Sequence, residues 1–480
     1  MLSAIKRFRM AVLLVLLCKS GALAQNAPVW PDHPWNSSAE LPIKAEARSL
    51  PGLRVDMDQN KTYSLPELID FAEADNPQTH VAWERARAQA AALGVARSEL
   101  FPMLSAAALS QTSRSEPFFG QFYKQVTQDF QLEFELNYTV FDFGARSSRI
   151  NAVRAQLLAT NFAFNDTHRN VIYQVQTAYY RVLSSMGQVD AARANLTNAQ
   201  AVQQAAEDRL ANGLATMPDV LEARSATAQA DYELQAALGA QEIAGGDLAT
   251  AIGAATTTAI RVQPLGQVPT RESVGETVEQ AIDRALGERP DLMEQVAEVR
   301  SANARAKEAR AAYFPTLNLL VNSAVPSLYG LQQPTPWAHT SDLTGGVSFN
   351  LNWTVFDGGA RKNRAAQATA DVRGAEAQAN VKRNQIADEV WRAYSNLHTA
   401  FRQRQAAIAL LDAASQSYSA ALESYKYGVR NLLDVTAAQR TLAQARSSDV
   451  LSRTQVLNAL AELAFRTGDS IQASHGRPRP

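Results

Sequence analysis

The sequence predicts a mainly α protein with a transmembrane β-barrel, written as a tandem-repeat protomer of long coiled-coil helices plus four β-strands. Three observations predict it. The segment YTVFDFGAR, Tyr138 to Arg146, returns as WTVFDGGAR, Trp353 to Arg361, shifted by 353 − 138 = 215 positions in a chain of 480 residues. Long Ala-, Gln- and Arg-rich stretches carry apolar residues at alternating steps of three and four, the seam of a coiled coil. Two segments of about ten residues alternate apolar and polar side chains, the period of a strand with two unlike faces.

The chain opens with an expected export signal, residues 1–24. Lys6, Arg7 and Arg9 are its positive region, Met10 to Leu17 its apolar core, and Ala22-Leu23-Ala24 a small-residue cleavage site. That core is shorter than the roughly 18 to 20 residues that span a bilayer, and no later stretch reaches such a length without polar interruption. Cys18, the only cysteine, lies inside the signal between Leu17 and Lys19. A lipid anchor needs a small residue before that cysteine, so simple cleavage is expected, leaving no disulfide or thiolate ligand. The net charge of −1 includes Lys6, Arg7, Arg9 and Lys19, so the remainder carries −1 − 4 = −5, against a nucleic-acid partner.

The elements follow in order. Residues 25–63, with a Pro-rich run from Pro28 to Pro51, read as an extended segment. Residues 64–255 form the first repeat and 276–468 the second, joined by a crossover linker at 256–275 and followed by a tail at 469–480. Each repeat starts with a short helix (65–74; 278–286) that ends before a proline. A second helix (79–99; 292–312) stops at Phe101-Pro102 or Phe314-Pro315, where proline cannot continue it. Strands are expected at about 103–112 and 130–142, then 316–324 and 346–357.

Next come the long helices. The first, from about 145 to 211, would measure about 100 Å at about 1.5 Å per residue. Its seam runs Ile172, Val175, Tyr179, Val182, Met186, Val189; the second runs Val390, Tyr394, Leu397, Phe401 and on to Tyr418, Leu422, Tyr425. Gly213 and Gly428 end these helices, at tips of about 211–219 and 426–434. Asp219 and Asp434 are placed to N-cap return helices at about 220–252 and 435–465. Two short helices end to end nearly match one long one, which predicts a rod.

In the first repeat Leu132, Phe134, Leu136, Tyr138 and Val140 share one strand face, against Glu133, Glu135, Asn137 and Thr139. In the second, Val347, Phe349, Leu351, Trp353 and Val355 oppose Ser348, Asn350, Asn352 and Thr354. A soluble sheet packed on helices would show the same alternation. Strand length, the aromatic near one end and the export signal favour lipid on the apolar side. Four strands cannot close a barrel, and an open edge cannot sit in lipid. Two chains would give eight strands and a filled interior; three give twelve and a lumen for Glu133, Glu135, Asn350 and Asn352.

At the quoted motif, Tyr138, Phe141, Trp353 and Phe356 are expected near a membrane interface. Asp142 and Asp357 would cap the incoming helices, and Gly144 and Gly359 would give the backbone room to turn. Each copy would supply one joint between barrel and helices.

The tandem repeat, TVFDxGAR after the second strand of each copy, and a glycine followed six positions on by Asp-Val at each tip together resemble the TolC-type outer-membrane efflux proteins, the outer-membrane factor family. The resemblance covers about 65–468. It implies a homotrimer whose twelve-stranded barrel continues as a periplasmic α-helical tunnel, docked on a periplasmic adaptor (membrane fusion protein) coupled to an inner-membrane transporter. The adaptor-contact tips of the family map to Asn212-Gly213-Leu214 and Tyr427-Gly428-Val429, the first residue departing from the family's Val-Gly-Leu pattern in both. Links that close the family's entrance map to Asp219, Tyr425 and Arg430, and its aspartate ring to Asp434. A second acidic ring falls on Ala437 and a gate threonine on Pro218, so neither carries over. Helix capping alone would also explain the two aspartates, and Arg430 could be a solvated tip charge.

The six histidines form no metal-binding pattern, and no nucleophile elbow, P-loop or dinucleotide fingerprint is present. No enzyme and no cofactor are expected. The function expected from the resemblance is gated passive passage through the outer-membrane channel of a tripartite efflux system. Type I protein secretion and metal efflux would use the same path. The rival from another class is a soluble periplasmic helical scaffold or adaptor.

Overall fold

The computed structural model describes residues 40–49, 57, 58, 60–118, 120–264, 268, 277–332 and 336–469. The expected export signal, Cys18 and the tail beyond Asp469 lie outside them. The chain divides into a unit ending at Arg54 and a second from Val55 onward.

In the first unit, helix α1 (Glu40–Ser49) occupies part of the segment expected to be extended. Pro42 falls in its first turn, where a missing N–H costs nothing, and Lys44 to Arg48 are mostly good helix formers. Proline content hid this helix.

In the second unit each repeat has two short helices, a strand pair, a long helix and a return helix. The first comprises α2 (Leu65–Asp75), α3 (Pro77–Ser98), β2 (Met103–Ser115), β3 (Gln125–Phe141), α4 (Ala145–Ala211) and α5 (Met217–Ala251). The second comprises α6 (Val278–Glu288), α7 (Pro290–Ala311), β5 (Thr316–Gln332), β6 (Ala338–Ser341), β7 (Thr344–Asn352), α8 (Ala360–Lys426) and α9 (Leu432–Thr467). The short strands β1 (Thr62–Tyr63) and β4 (Arg261–Val262) pair in parallel, joining the residues just before α2 to the start of the crossover linker.

Both long helices run 67 residues, about 100 Å at about 1.5 Å per residue. α3 and α5 pack on α4, while α7 and α9 pack on α8, so short helices in tandem line each long one. Val171, Val175, Tyr179 and Val182 of α4 are buried with Leu248 and Ile252, and α2 supplies Leu68, Ile69 and Ala72. Val390 and Ile386 meet Ala281 and Ala285 of α6. Much of the seam is alanine, which lets helix axes approach closely; Gly187 is so near α9 that an added Cβ would lie 2.7 Å from Val450. Among the described residues no helix is long and apolar enough to cross a membrane.

The strands form one antiparallel sheet ordered β2-β3-β5, with β6 and β7 both pairing the far side of β5. They reach further than expected on one side: β3 begins at Gln125, not 130, and β5 runs to Gln332, not 324. β7 stops at Asn352, so Trp353 to Phe356 leave the ladder, whereas β3 continues to Phe141 across a bulge between Thr139 and Phe141. The two joints are therefore related in sequence but unequal in backbone.

Candidate functional site

Register carries one apolar face across the sheet. Leu104 pairs with Leu136, Leu136 with Val321 and Val321 with Val347. One row nearer the helices, Tyr138 pairs with Leu319 and Leu319 with Phe349. Phe130, Leu132 and Phe134 are exposed, and Val347, Phe349 and Leu351 stand 67, 66 and 69% open. Such rows are what a lipid-facing surface requires. The opposite face pairs Ser105 with Glu135, Glu135 with Asn322, and Asn318 with Asn350; it also carries Glu133 and Asn352.

At each joint an aspartate holds the start of the long helix. Asp142 Oδ2 accepts from the Arg146 N–H at 2.9 Å and from its Nε at 2.8 Å, while Oδ1 accepts from Gly144 N at 3.2 Å. Asp357 repeats this with Arg361 at 3.0 and 2.9 Å and with Gly359 N at 3.1 Å. Gly144 and Gly359 both have φ of 87°, left-handed backbone that a side chain would strain. Burial pushes the Asp142 carboxyl up, but the Arg146 N–H and guanidinium outweigh it and hold the pKa below the usual range. The joint arginines were the missed residues, and their signal was the four-residue Asp-to-Arg spacing in both copies. Arg146 also donates to the Glu99 carbonyl at 3.1 Å, tying α3 to α4, and lies over the Tyr138 ring. Arg361 lies over Tyr313, whose carbonyl accepts from Trp353 Nε1 at 3.2 Å. Phe141 packs edge-on against Phe143, which stacks on Phe314, whereas Phe356 is exposed. Among the described residues Phe143 is the one non-glycine at positive φ, and the second copy has Gly358 there.

At the other end both long helices finish in the same motif. Leu214 N–H donates to the Arg209 carbonyl at 2.8 Å and Gly213 N–H to Leu210 at 2.9 Å; Val429 and Gly428 do likewise with Ser424 and Tyr425. This double closure needs left-handed backbone at the glycine, and φ is 70° at Gly213 and 79° at Gly428. Asn212 caps α4, its Nδ2 donating to the Asp208 carbonyl. Leu214, Tyr427 and Val429 project into solvent, 66, 81 and 79% exposed.

The return helices begin earlier than expected, which corrects the two aspartates. Thr216 is the N-cap of α5, and Asp219 sits three residues on, accepting from the Thr216 N–H and hydroxyl at 2.8 and 2.7 Å in a capping box. Asn431 caps α9 by accepting from Asp434 N–H at 2.9 Å, leaving the Asp434 side chain exposed. Thr216 and Asn431 stand at the N-cap position itself, whereas Asp219 and Asp434 lie three residues further on, inside the first turn. Hydrogen bonds from Thr216 and the field of Arg209 hold the Asp219 pKa below its ordinary value.

Asp219 and Arg430 form no ion pair among the described residues. Tyr425 is buried and its hydroxyl has no hydrogen-bond partner. Its partner is a residue the sequence did not flag: Arg209 Nη1 donates to the Tyr425 carbonyl at 2.6 Å, and the guanidinium lies 4.8 Å from the Tyr425 ring centre. The 215-residue offset places Ser424 opposite Arg209, so no repeated pattern marked it. Val202, Ala206 and Val220 of the first hairpin share one core with Tyr418, Tyr425 and Val435 of the second.

A family model for outer membrane efflux proteins matches residues 68–254 and again 281–469. The chain belongs to the outer membrane efflux protein family. The two matches start 281 − 68 = 213 residues apart and end 469 − 254 = 215 apart, the spacing of the sequence repeat. Among curated relatives, Protein CyaE of Bordetella pertussis is 29% identical over 408 residues, 85% of this chain and 84% of its own. Outer membrane protein OprJ of Pseudomonas aeruginosa is 27% identical, covering 83% and 82%. The fold matches the crystal structure of the Campylobacter jejuni CmeC outer membrane channel with a TM-score of 0.72 at 17% identity, over 94% of this chain and 96% of that one. This outer membrane efflux protein is thus a channel rather than an enzyme, its strands in the outer membrane and its helices in the periplasm.

Proposed function

We propose that three copies of this chain assemble into one channel, the exit duct of a tripartite efflux system. The observation that carries this is the pair of open edges: among the described residues β2 is hydrogen-bonded only on its β3 side, and β7 only on its β5 side. Unpaired edge groups cost several kcal/mol each in lipid, so the apolar face described above can meet lipid only if the edges pair between protomers. The strand order leaves β2 of one protomer antiparallel to β7 of the next. Three sheets then make a twelve-stranded barrel, with Glu133, Glu135, Asn350 and Asn352 lining its interior.

The joint residues lie where strand gives way to helix, so the helices continue the duct into the periplasm. At the far end Leu214, Tyr427 and Val429, with Asn212, Gly213 and Gly428, form an apolar-tipped surface suited to helical hairpins of a periplasmic adaptor. Energy comes from an inner-membrane transporter, and passage through this protein is passive and gated. Three copies of the exposed Asp434 at the narrow end favour cations over anions. Asp219, Tyr425 and Arg430 stand at that end, Tyr425 closing it within a protomer through its carbonyl and ring, Asp219 and Arg430 between protomers.

The test combines light scattering of detergent-extracted protein with a toxicity panel on a deletion strain. A mass of three chains and restored resistance on re-expression are expected. A monomeric mass, or loss of a secreted protein with unchanged resistance, would overturn the efflux reading.

A further inference from the structure

Closing contacts in a helical channel mouth must join elements that move apart on opening. At this mouth the two hairpins of one protomer share an apolar core, and Arg440 of α9 reaches Glu222 of α5 at 3.5 Å; among the described residues it is Arg209 of the first hairpin that hydrogen-bonds the last helical turn of the second. Arg209 stands in the last turn of α4 and reaches the end of α8. Its Nη1 donates to the Tyr425 carbonyl at 2.6 Å, and its Nη2 to the Leu214 carbonyl at 3.0 Å. The ring of Tyr425 lies beneath the guanidinium carbon at 4.8 Å.

We infer that Arg209 is the clasp that holds the first hairpin tip to the second and keeps the periplasmic mouth closed. The inference rests on the channel function proposed above and adds the residue on which closure turns. Four features support it. The Tyr425 carbonyl belongs to the last turn of α8, the negative end of a helix dipole, and the Leu214 carbonyl to the turn just beyond α4, so one cation spans both. Planar guanidinium donors can address two carbonyls and an aromatic face together, as an ammonium cannot. The guanidinium lies directly against the second tip, where a Cβ on Gly428 would be in ordinary contact with Nη1 at 3.5 Å. The other charged groups of the mouth are otherwise disposed: Asp219 is held by Thr216, and Arg430 forms no ion pair with a described residue.

The clasp grips a backbone carbonyl and a ring face, not the Tyr425 hydroxyl, which is buried and unpartnered. That distinguishes it from a latch made by the phenol. Because Ser424 occupies the matching place in the second copy, the clasp is one-sided and runs from first repeat to second. Opening then frees the second hairpin while the first keeps its own cap.

The test is single-channel recording of full-length protein in planar bilayers, with outer-membrane yield checked for each variant. Arg209→Gln and Arg209→Ala are expected to raise the open probability at least about tenfold, the scale of one lost charged hydrogen bond. Arg209→Lys is expected to fall between them and the parent, and Tyr425→Phe to match the parent. A conducting parent with Arg209→Gln indistinguishable from it overturns the clasp and leaves the channel standing. Tyr425→Phe as leaky as Arg209→Gln also overturns it, by moving the latch to the phenol. A folded parent that never conducts overturns the channel reading and the clasp with it.

Discussion

Asp142 accepts both the backbone N–H and the Nε of Arg146, one helical turn further on, and Asp357 binds Arg361 in the same way. One carboxylate thereby closes the helix start and fixes the side chain that ties neighbouring backbone to it. Asp142→Ala should lower stability by about 1–2 kcal/mol, the range for losing a strong N-cap. Thermal unfolding of the purified protein, followed by helical circular dichroism, measures it. Asp357→Ala should cost less, because Arg361 beyond Asp357 hydrogen-bonds only the nearby Val355 carbonyl and rests on Tyr313, whereas Arg146 hydrogen-bonds a neighbouring helix end through Glu99.

Gly187 sets the distance between α4 and α9. With an added Cβ at 2.7 Å from Val450, Gly187→Ala must push the helices apart or force Val450 from its rotamer. The expected destabilisation is about 1–3 kcal/mol. Val450→Ala in the same chain should recover part of it; a double variant no better than Gly187→Ala would contradict the close-contact explanation.

Arg404 donates to Asp449 and to Ser452 in the buried face between α8 and α9. The first repeat has Val189 and Leu234 at the matching positions. One fold thus carries a charged pair in one repeat and two apolar residues at the matching positions of the other. Arg404→Val alone should destabilise by about 1.5–3 kcal/mol, because it leaves the buried Asp449 carboxylate with only the partly exposed Arg453, 2.7 Å away, while Arg404→Val with Asp449→Leu should recover much of the loss. Denaturant unfolding of both variants gives the comparison.

Asp291 is buried, which raises its pKa, but Arg289 and Lys382 more than offset this and bring it to about 2. A folded value below the unfolded one of about 3.9 means the stabilisation is complete above the unfolded value and is lost as pH falls toward the folded value. The stability gap between the parent and Asp291→Asn should therefore be steady above about pH 5 and shrink between about pH 4 and 2. Unfolding temperatures across that range check it, and a gap independent of pH would remove Asp291 from the account.

Repetition made much of this legible from sequence. Long helices, tip glycines and alternating strands each occur twice, so accidental patterns were filtered out, and periodicity of two or three-to-four set their faces. What stayed hidden was whatever the repeat does not share. Arg209 has serine as its counterpart, and β7 ends before Trp353 although β3 runs on to Phe141. Asp219 and Asp434 were misplaced by one turn because Asp, Thr and Asn are all good caps, and residue type alone does not choose among neighbours. Pro42 concealed α1 for the opposite reason: proline is tolerated in a first turn.

In the proposed trimer the open edges β2 and β7 meet between protomers. Cys18 is the only cysteine and lies in the expected leader, so paired cysteines can be introduced without background. Single cysteines at Leu104, Ala106 or Ala108 on β2 would be combined in turn with ones at Val347, Phe349 or Leu351 on β7, then oxidised in intact outer membranes. At least one pairing is expected to yield a covalently closed three-chain species on denaturing gels. Disulfides confined within single chains, or monomer bands from every pair in membranes that contain the protein, would contradict it.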